Sequence, residues 1–420
     1  MEIGKVPKEW EVVRLGEVCE FKRGFSYRSN QITKDFTKVR FITINDIEKE
    51  GGIKRNSEKI FIKESVNIDP ELFLNKGDIL IANTDMSKGF IIGAPILIEN
   101  INGKLIYSMD LTKLIFNKSK INSKFLFYYL KHNIIRQKMK SFAQGTNVLH
   151  LNHDLAKLLK LPLPPLPEQQ KIAEILSTVD SAIEKVNQAI EKTQRLKKGL
   201  MQELLTKGIG HNEFKDTEIG RIPKEWEVVR LGEVADLNRG RFAHRPRNDP
   251  KFYGGKIPFI QTGDINEANG IIKKYSQTLN EKGLKISKLF KKGTIVISIA
   301  GNIGDVGILD FDACFPDSII GINPNDKKVD RLFLVFLLQE FKDKLNAIAP
   351  RSTQKNINLE ILEPLKLPLP PLPEQQKIAE ILSTVDKRLE FLKKKKEKLE
   401  RIKKGLMNDL LTGKRRTRIC

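Results

Sequence analysis

The chain has 420 residues, of which 40% are hydrophobic and 30% charged, with a formal net charge of +22. At roughly 100–200 residues per domain, this is a globular composition for two to four domains and not a disordered one. Three scattered cysteines (Cys19, Cys314, Cys420) exclude a disulfide framework or zinc site and fit a reducing cytoplasm. No apolar run follows a basic start, and the longest apolar stretch, 90–98, has nine residues, against about 18 for a membrane span. The charge calls for an anionic partner, nucleic acid first, unless it is the Lys-rich surface of a heat-adapted protein. It is spread through the folded regions: residues 19–158 carry 23 basic and 14 acidic residues, and 235–364 carry 20 and 15.

The first element is the block PKEWEVVRLGEV at 7–18. It returns letter for letter at 223–234, an offset of 216. A diverged segment, 19–158, follows, with strands expected at 40–44, 79–82, 91–98 and 111–116 and a helix at 124–142. Next comes LKLPLPPLPEQQKIAEILSTVD at 159–180, repeated at 365–386. Its proline run cannot be helical and predicts a stiff polyproline-like connector. Pro167 and Glu168 suit a helix start.

The helix beyond shows an apolar 4–3 spacing over five heptads, the coiled-coil pattern. Its seam is Ile172, Leu176, Val179, Ile183, Val186, Ile190, Leu200 and Leu204; the second copy gives Ile378, Leu382, Val385, Leu389, Leu392, Leu399, Leu406 and Leu410. Lys197, Lys396 and Lys403 also fall in the seam, and snorkelling at a frayed end is the expectation for them. Gly199 and Gly405 interrupt the helices at equivalent places, permitting close approach or marking a last turn. The second diverged segment, 235–364, predicts strands at 258–262 and 294–300 and a helix at 331–348. The chain is a tandem duplication of about 200 residues, with constrained junctions and diverged middles. Trp10 and Trp226, its only tryptophans, are read as core anchors.

Searching for chemistry returns little. There is no GxxxxGKS/T, and AGNIGDVG at 300–307 reads as a loop. GxSxG and the tetrapeptide of amino-methyltransferases are absent as well. Pro316-Asp317 with Glu340-Phe341-Lys342 imitates a nuclease signature, but Glu340 lies in a helical stretch and the aligned first copy has Met109-Asp110. His150 and His153 are spaced as metal ligands yet read as loop residues. The catalytic, cofactor-binding and metal-ligating sets are therefore empty. Other residues suit DNA readout. FKRGFSYR contributes Lys22, Arg23 and Arg28; its counterpart contributes Arg239 and Arg241, then Arg245 and Arg247. The polar loops before the proline runs contribute Gln144, Thr146 and Asn147, and Arg351, Ser352, Thr353 and Gln354. Arginine binds guanine edges or phosphate, and Gln and Asn bind adenine. Simple turn chemistry accounts for each equally well.

The PxxW…LGEV openings, the LPLPPLPEQQKIAEIL blocks and the long helices together resemble the specificity subunit of type I restriction–modification enzymes, over the whole chain. The resemblance implies an α+β fold. Two similar mixed α/β target-recognition domains are joined by two long helices in an antiparallel coiled coil, with an internal pseudo-twofold repeat. The expected division is 1–158 and 213–364 for the recognition domains, with 159–212 and 365–420 for the connector helices. The resemblance further implies a non-catalytic subunit that reads an asymmetric bipartite site in double-stranded DNA. It docks two methyltransferase subunits carrying S-adenosylmethionine, with two restriction subunits adding ATP and Mg chemistry. The competing readings are a stand-alone DNA-modifying or cleaving enzyme and a basic coiled-coil scaffold without sequence specificity.

If the helices act as a ruler, a heptad inserted into both preserves the seam and adds about 10 Å of helix, or two to three base pairs at about 3.4 Å each. The expected outcome, read by methylome sequencing, is a longer non-specific spacer between unchanged half-sites.

Overall fold

The computed structural model describes residues 6–54, 56–86, 89–101, 103–268, 270–349 and 356–417. The fold is α+β and divides into two compact units. One comprises residues up to Asn187 together with Lys395 onward; the other runs from Gln188 to Lys394. Each holds one mixed domain and a segment from each of two long helices, Leu166–Lys207 and Leu372–Leu410.

In the first unit a four-stranded antiparallel sheet has the order Cys19–Arg23, Leu111–Phe116, Ile79–Ala82, Pro95–Leu97. A second sheet orders Ile32–Thr33, Ile60–Ile62, Val39–Ile42 and Lys104–Tyr107, the last two parallel. The second unit repeats the plan with Ala235–Arg239, Ile319–Pro324, Ile295–Ser298 and Val306–Leu309, extended by Ile271–Ile272. Every residue of Ile79–Ala82 and Ile295–Ser298 is buried, which is why these strands read as unbroken apolar runs and not as alternation.

Four expected elements differ. The strand expected at 258–262 is instead Tyr253–Phe259, and Thr262 opens the short helix Thr262–Glu267. Of 91–98 only Pro95–Leu97 is strand, because Gly93 turns the chain at φ +65°. The runs 124–142 and 331–348 are each two helices. Ser123–Lys131 and Asn133–Ser141 meet at His132, and Arg331–Glu340 and Lys342–Ile348 meet at Phe341. His132 is extended (φ −60°, ψ 135°) and its buried ring bonds Asn408 Oδ1 at 2.8 Å. The redirected helix then sends the buried Arg136 guanidinium to the carbonyls of Lys49, Phe90 and Ile92.

The repeated blocks meet at the root of each long helix. Glu11–Arg14 pairs antiparallel with Lys160–Leu163, and Glu227–Arg230 with Lys366–Leu369, in the same register. The first part of each proline run is thus a strand of a two-stranded ribbon and not a free connector. Pro162 and Pro368 are tolerated because such a strand has an edge where no N–H is needed. Trp10 Nε1 donates to Glu168 Oε2 at 3.1 Å, and Trp226 Nε1 to Glu374 Oε2 at 3.0 Å. Gln169 is buried one residue on. Its Oε1 accepts from Asn122 N (2.8 Å), and its Nε2 donates to Lys120 O (3.0 Å) and Pro164 O (2.8 Å). Gln375 repeats the set on Asp330 N, Lys328 O and Pro370 O. Asn122 and Asp330 in turn cap Ser123–Lys131 and Arg331–Glu340.

Within the first unit, Ile172 and Leu176 share a core with Leu410 and Leu411. Within the second, Ile378 and Leu382 share one with Leu204 and Leu205. The opening turns of one long helix thus lie against the closing turns of the other, so the pair is antiparallel. Of the seam, Ile172, Leu176, Val186, Leu204, Ile378, Leu382, Leu389, Leu392 and Leu410 are buried, and Val179, Ile183, Ile190, Leu200, Val385, Leu399 and Leu406 half-buried. The seam lysines Lys197 and Lys403 are not frayed-end snorkellers. Lys197 Nζ lies 2.6 Å from Asp386 and over the Phe336 ring; Lys403 Nζ lies 2.5 Å from Asp180 and over the Tyr128 ring. Each lysine of one helix answers the same aspartate of the other. Lys396 instead pairs weakly along its own helix with Glu400 at 3.9 Å. A side chain built at Gly199 or Gly405 meets nothing within 4 Å, so neither glycine serves a close approach among the described residues.

Replacing Gln169 by leucine orphans one N–H and two carbonyls, costing about 2–4 kcal/mol at roughly 1–3 kcal/mol per buried unsatisfied group less what leucine recovers. Gln375→Leu should match it, and the exposed Gln170→Leu should be near neutral. Denaturant unfolding of the full chain measures all three.

Candidate nucleic-acid interface

Arg23 and Arg239 end equivalent strands, and the structure explains the glycine after each. Gly24 runs so close to the turn leading into Leu111–Phe116 that a Cβ would lie 2.2 Å from Ser108 O; at Gly240, beside the turn leading into Ile319–Pro324, it would lie 2.2 Å from Pro316 O. The close approach is to the chain's own backbone, so the glycines are needed for folding. In both units the arginine is anchored by Nε to that turn, Arg23 to Met109 O at 3.2 Å and Arg239 to Asp317 O at 2.7 Å. Both terminal nitrogens of each fork are left without a partner among the described residues. Phe25 N bonds Tyr107 O as Arg241 N bonds Phe315 O, so Met109 is the counterpart of Asp317. The sequence alignment, which set Asp110 against Asp317, is corrected by one residue.

In the first unit Ile79–Ala82 continues into Thr84–Asp85, which pairs with Leu149–Leu151; that strand pairs with Ala143–Gln144. Gln144, Thr146 and Asn147 are exposed on this hairpin, beside the turn that holds Arg23. Beneath lies a polar network. Asn83 Oδ1 accepts from Thr112 Oγ1 at 2.7 Å and meets His153 Nε2 at 2.9 Å, while Thr84 Oγ1 donates to Asp110 at 2.9 Å. The structure thus brings Gln144, Thr146 and Asn147 together on one hairpin, while Arg23 ends a strand of the neighbouring four-stranded sheet. Lys22 projects from the opposite strand face and is held by Glu71. Arg28 is exposed farther along, just before the turn Ser29–Gln31.

In the second unit Arg245 and Arg247 both reach the Asp317 carboxylate, Arg245 Nη2 at 3.1 Å from Oδ2 and Arg247 Nη2 on Oδ1. Arg239, Arg245 and Arg247 therefore converge on one turn. Arg241 is exposed nearby, its carbonyl accepting from Ser287. Arg351, Ser352, Thr353 and Gln354 lie outside the described residues. Sequence reasoning missed Asp317 as a partner for these arginines. The available signal was four arginines in nine residues, a density that demands a counter-charge.

Competing chemistry finds no support. Asp317 is engaged by arginines, and Glu340 closes the helix Arg331–Glu340 while Lys342 pairs with Asp305. His150 is exposed and His153 sits in the amide network, and no group of three metal-capable side chains occurs among the described residues. Burial pushes the Cys19 thiol up to about 12 and raises that of Cys314, so neither is a thiolate at neutral pH. No helix among the described residues is long and apolar enough to cross a membrane.

Burial lowers the imidazole pKa of His132, partly opposed by the bond to Asn408. Burial and then Lys157 and Arg23 lower that of His153. The unfolded chain, at about 6.5, then binds more protons than the folded one, so stability is complete above that pH and falls below it. The first unit should melt lower at about pH 5.5 than at 7.5, and His132→Gln with His153→Gln should flatten this dependence in thermal melts followed across that range.

A profile of the type I restriction modification DNA specificity domain matches residues 7–193 and again 223–401. The type I restriction enzyme MjaVIII specificity subunit of Methanocaldococcus jannaschii is 30% identical over 99% of this chain and 95% of its own length. The EcoKI specificity subunit of Escherichia coli is 22% identical over 90% and 82%. The crystal structure of a type I restriction-modification S subunit from M. genitalium has the same fold. It superposes with a TM-score of 0.63, at 16% identity and covering 99% of this chain and 98% of that one. Two matched repeats, and relatives aligned end to end, place this chain in the family of type I restriction–modification DNA specificity subunits, the non-catalytic component of that system.

Proposed function

We propose that the two mixed domains, within 1–158 and 213–364, are separate readers of one asymmetric bipartite site in double-stranded DNA. The observation that carries this reading is the contrast between root and surface. The Trp–Glu bond and the Gln bonds at the junction are the same in both units, while the polar groups above the shared Arg-Gly turn differ. One scaffold that holds two unlike polar surfaces suits two unlike half-sites. Arg23 and Arg239, anchored alike with free forks, suit phosphate positioning. Gln144, Thr146, Asn147, Arg241, Arg245 and Arg247 supply side chains for base edges, and Lys22, Arg28 and the 351–354 loop extend the basic surface.

The rest of the assembly follows from the type I system. Two like helix roots suit two copies of one methyltransferase subunit, which would bring S-adenosylmethionine. Two restriction subunits would bring ATP and Mg. This chain itself would hold no cofactor and work in the cytoplasm, where DNA is accessible. The test is exchange of 235–364 for the matching segment of a subunit with another specificity. Methylome sequencing should show one half of the motif replaced and the other kept. A change in both halves, or in neither, contradicts independent readers.

A further inference from the structure

We infer that Asp317 is a positioning residue that aims the Arg247 guanidinium at a guanine in the half-site read by the second domain, a contact for which the first domain has no counterpart. The inference rests on the reading of 213–364 as a DNA reader and names the base class it recognises.

The inventory of guanidinium donors separates the two arginines. Arg245 spends both protons of Nη1 on the carbonyls of Phe242 (2.7 Å) and His244 (2.9 Å), and Nη2 contacts Asp317 at 3.1 Å. It braces the loop. Arg247 touches Asp317 through Nη2 alone; Nη2 carries one N–H on each edge of the guanidinium, and with Nε and Nη1 unpartnered among the described residues one whole edge stays free. Its side chain is 43% exposed, so this free edge is open to solvent. Its backbone is pinned as well, because the Tyr253 hydroxyl donates to Arg247 O, and the Tyr253 ring lies 5.8 Å from Phe242 and 6.1 Å from Phe259. A fixed fork with one edge committed and the other open suits guanine, whose O6 and N7 accept two parallel N–H bonds. Holding it in place beforehand reduces the ordering cost of binding.

Phosphate is the other acceptor an arginine meets, and Asp317 argues against it. A carboxylate beside Arg247 offsets the positive charge that a phosphate contact depends on and itself repels phosphate. A base edge has no formal charge, needs direction, and is not repelled in this way. Arg23 and Arg239 differ, since each is anchored through Nε to a backbone carbonyl and makes no ion pair among the described residues. At the counterpart of Asp317 the first domain has Met109, whose side chain has no charge with which to pair a second guanidinium.

The experiment selects from a randomised duplex library with the full chain assembled with its methyltransferase partner, comparing wild type, Arg247→Ala and Asp317→Asn. Arg247→Ala should lose preference for guanine at one position of one half-site, by about 5- to 100-fold. Asp317→Asn should weaken preference at that same position while binding to unrelated sequences holds or rises. The other half-site, unchanged in every selection, reports that each variant is folded. A wild type that selects no bipartite motif overturns the underlying reading and this inference with it. A wild-type motif that both variants leave intact overturns this inference alone. So does a uniform change across all sequences, the mark of a phosphate contact.

Discussion

A carboxylate held at the root of each long helix, fully buried in one and half-buried in the other, is the constraint from which the rest of the architecture follows. Glu168 is fully buried, and an unpaired charge there would be prohibitive. It accepts from the Trp10 indole and from Arg416, whose Nε and Nη2 lie 2.8 and 2.9 Å away. Glu374 accepts from the Trp226 indole and from Ile209 N and His211 Nε2, both at 2.9 Å. Arg416 follows the end of the second long helix, and His211 follows the end of the first. Each helix therefore begins where the other ends, and only antiparallel pairing satisfies both carboxylates. The indoles fasten each opening segment to the same point.

The preserved letters have physical tasks on this view. Trp10 and Glu168 come from two blocks far apart in sequence and form one bond; Gln169 joins the helix root to the cap of Ser123–Lys131; Asp180 holds Lys403. None of these positions faces the Arg-Gly turn. The readers can diverge because their attachments do not pass through the diverged surface. Asp317 against Met109 shows how far that goes, since a single position on a shared turn changes which side chains the turn can support.

The duplication, the long helices, their apolar seam and the mixed domains were legible because each repeats or has a period, whereas the antiparallel sense of the pairing came only with the family resemblance. Register was harder. Asp110 was set against Asp317 because aspartate resembles aspartate, and only the backbone bonds from Phe25 and Arg241 show the one-residue shift. The strand in the proline run was hidden because proline statistics describe an isolated chain, whereas Lys160–Leu163 gains a partner in Glu11–Arg14. His132 and Phe341 break helices without glycine or proline, and at His132 the partner of the buried ring, Asn408, is far away in sequence, so no local signal carries it. The ion pairs of Lys197 and Lys403 were missed because a seam lysine shows its charge in sequence but not its distant partner. Of the candidate DNA contacts, residue chemistry was visible, but which of them lie together was not, since that depends on Thr84–Asp85 reaching the hairpin that ends at Leu151.

Unit composition also bears on the order in which the protein takes shape during synthesis. The second unit is a continuous stretch, from Gln188 to Lys394, and all its partners have been made before the last turns of the chain emerge. The first unit is not continuous. Its core waits for Met407, Leu410 and Leu411, and Glu168 waits for Arg416. Domains generally fold as units as the chain is produced, so the domain encoded first is completed last. A chain released early would expose the apolar face of Ile172 and Leu176 and leave a buried carboxylate without its cation. Removing the segment from Met407 onward therefore unmakes the domain that was encoded first, and leaves it with the exposed apolar surface by which chaperones and proteases sort unfolded chains.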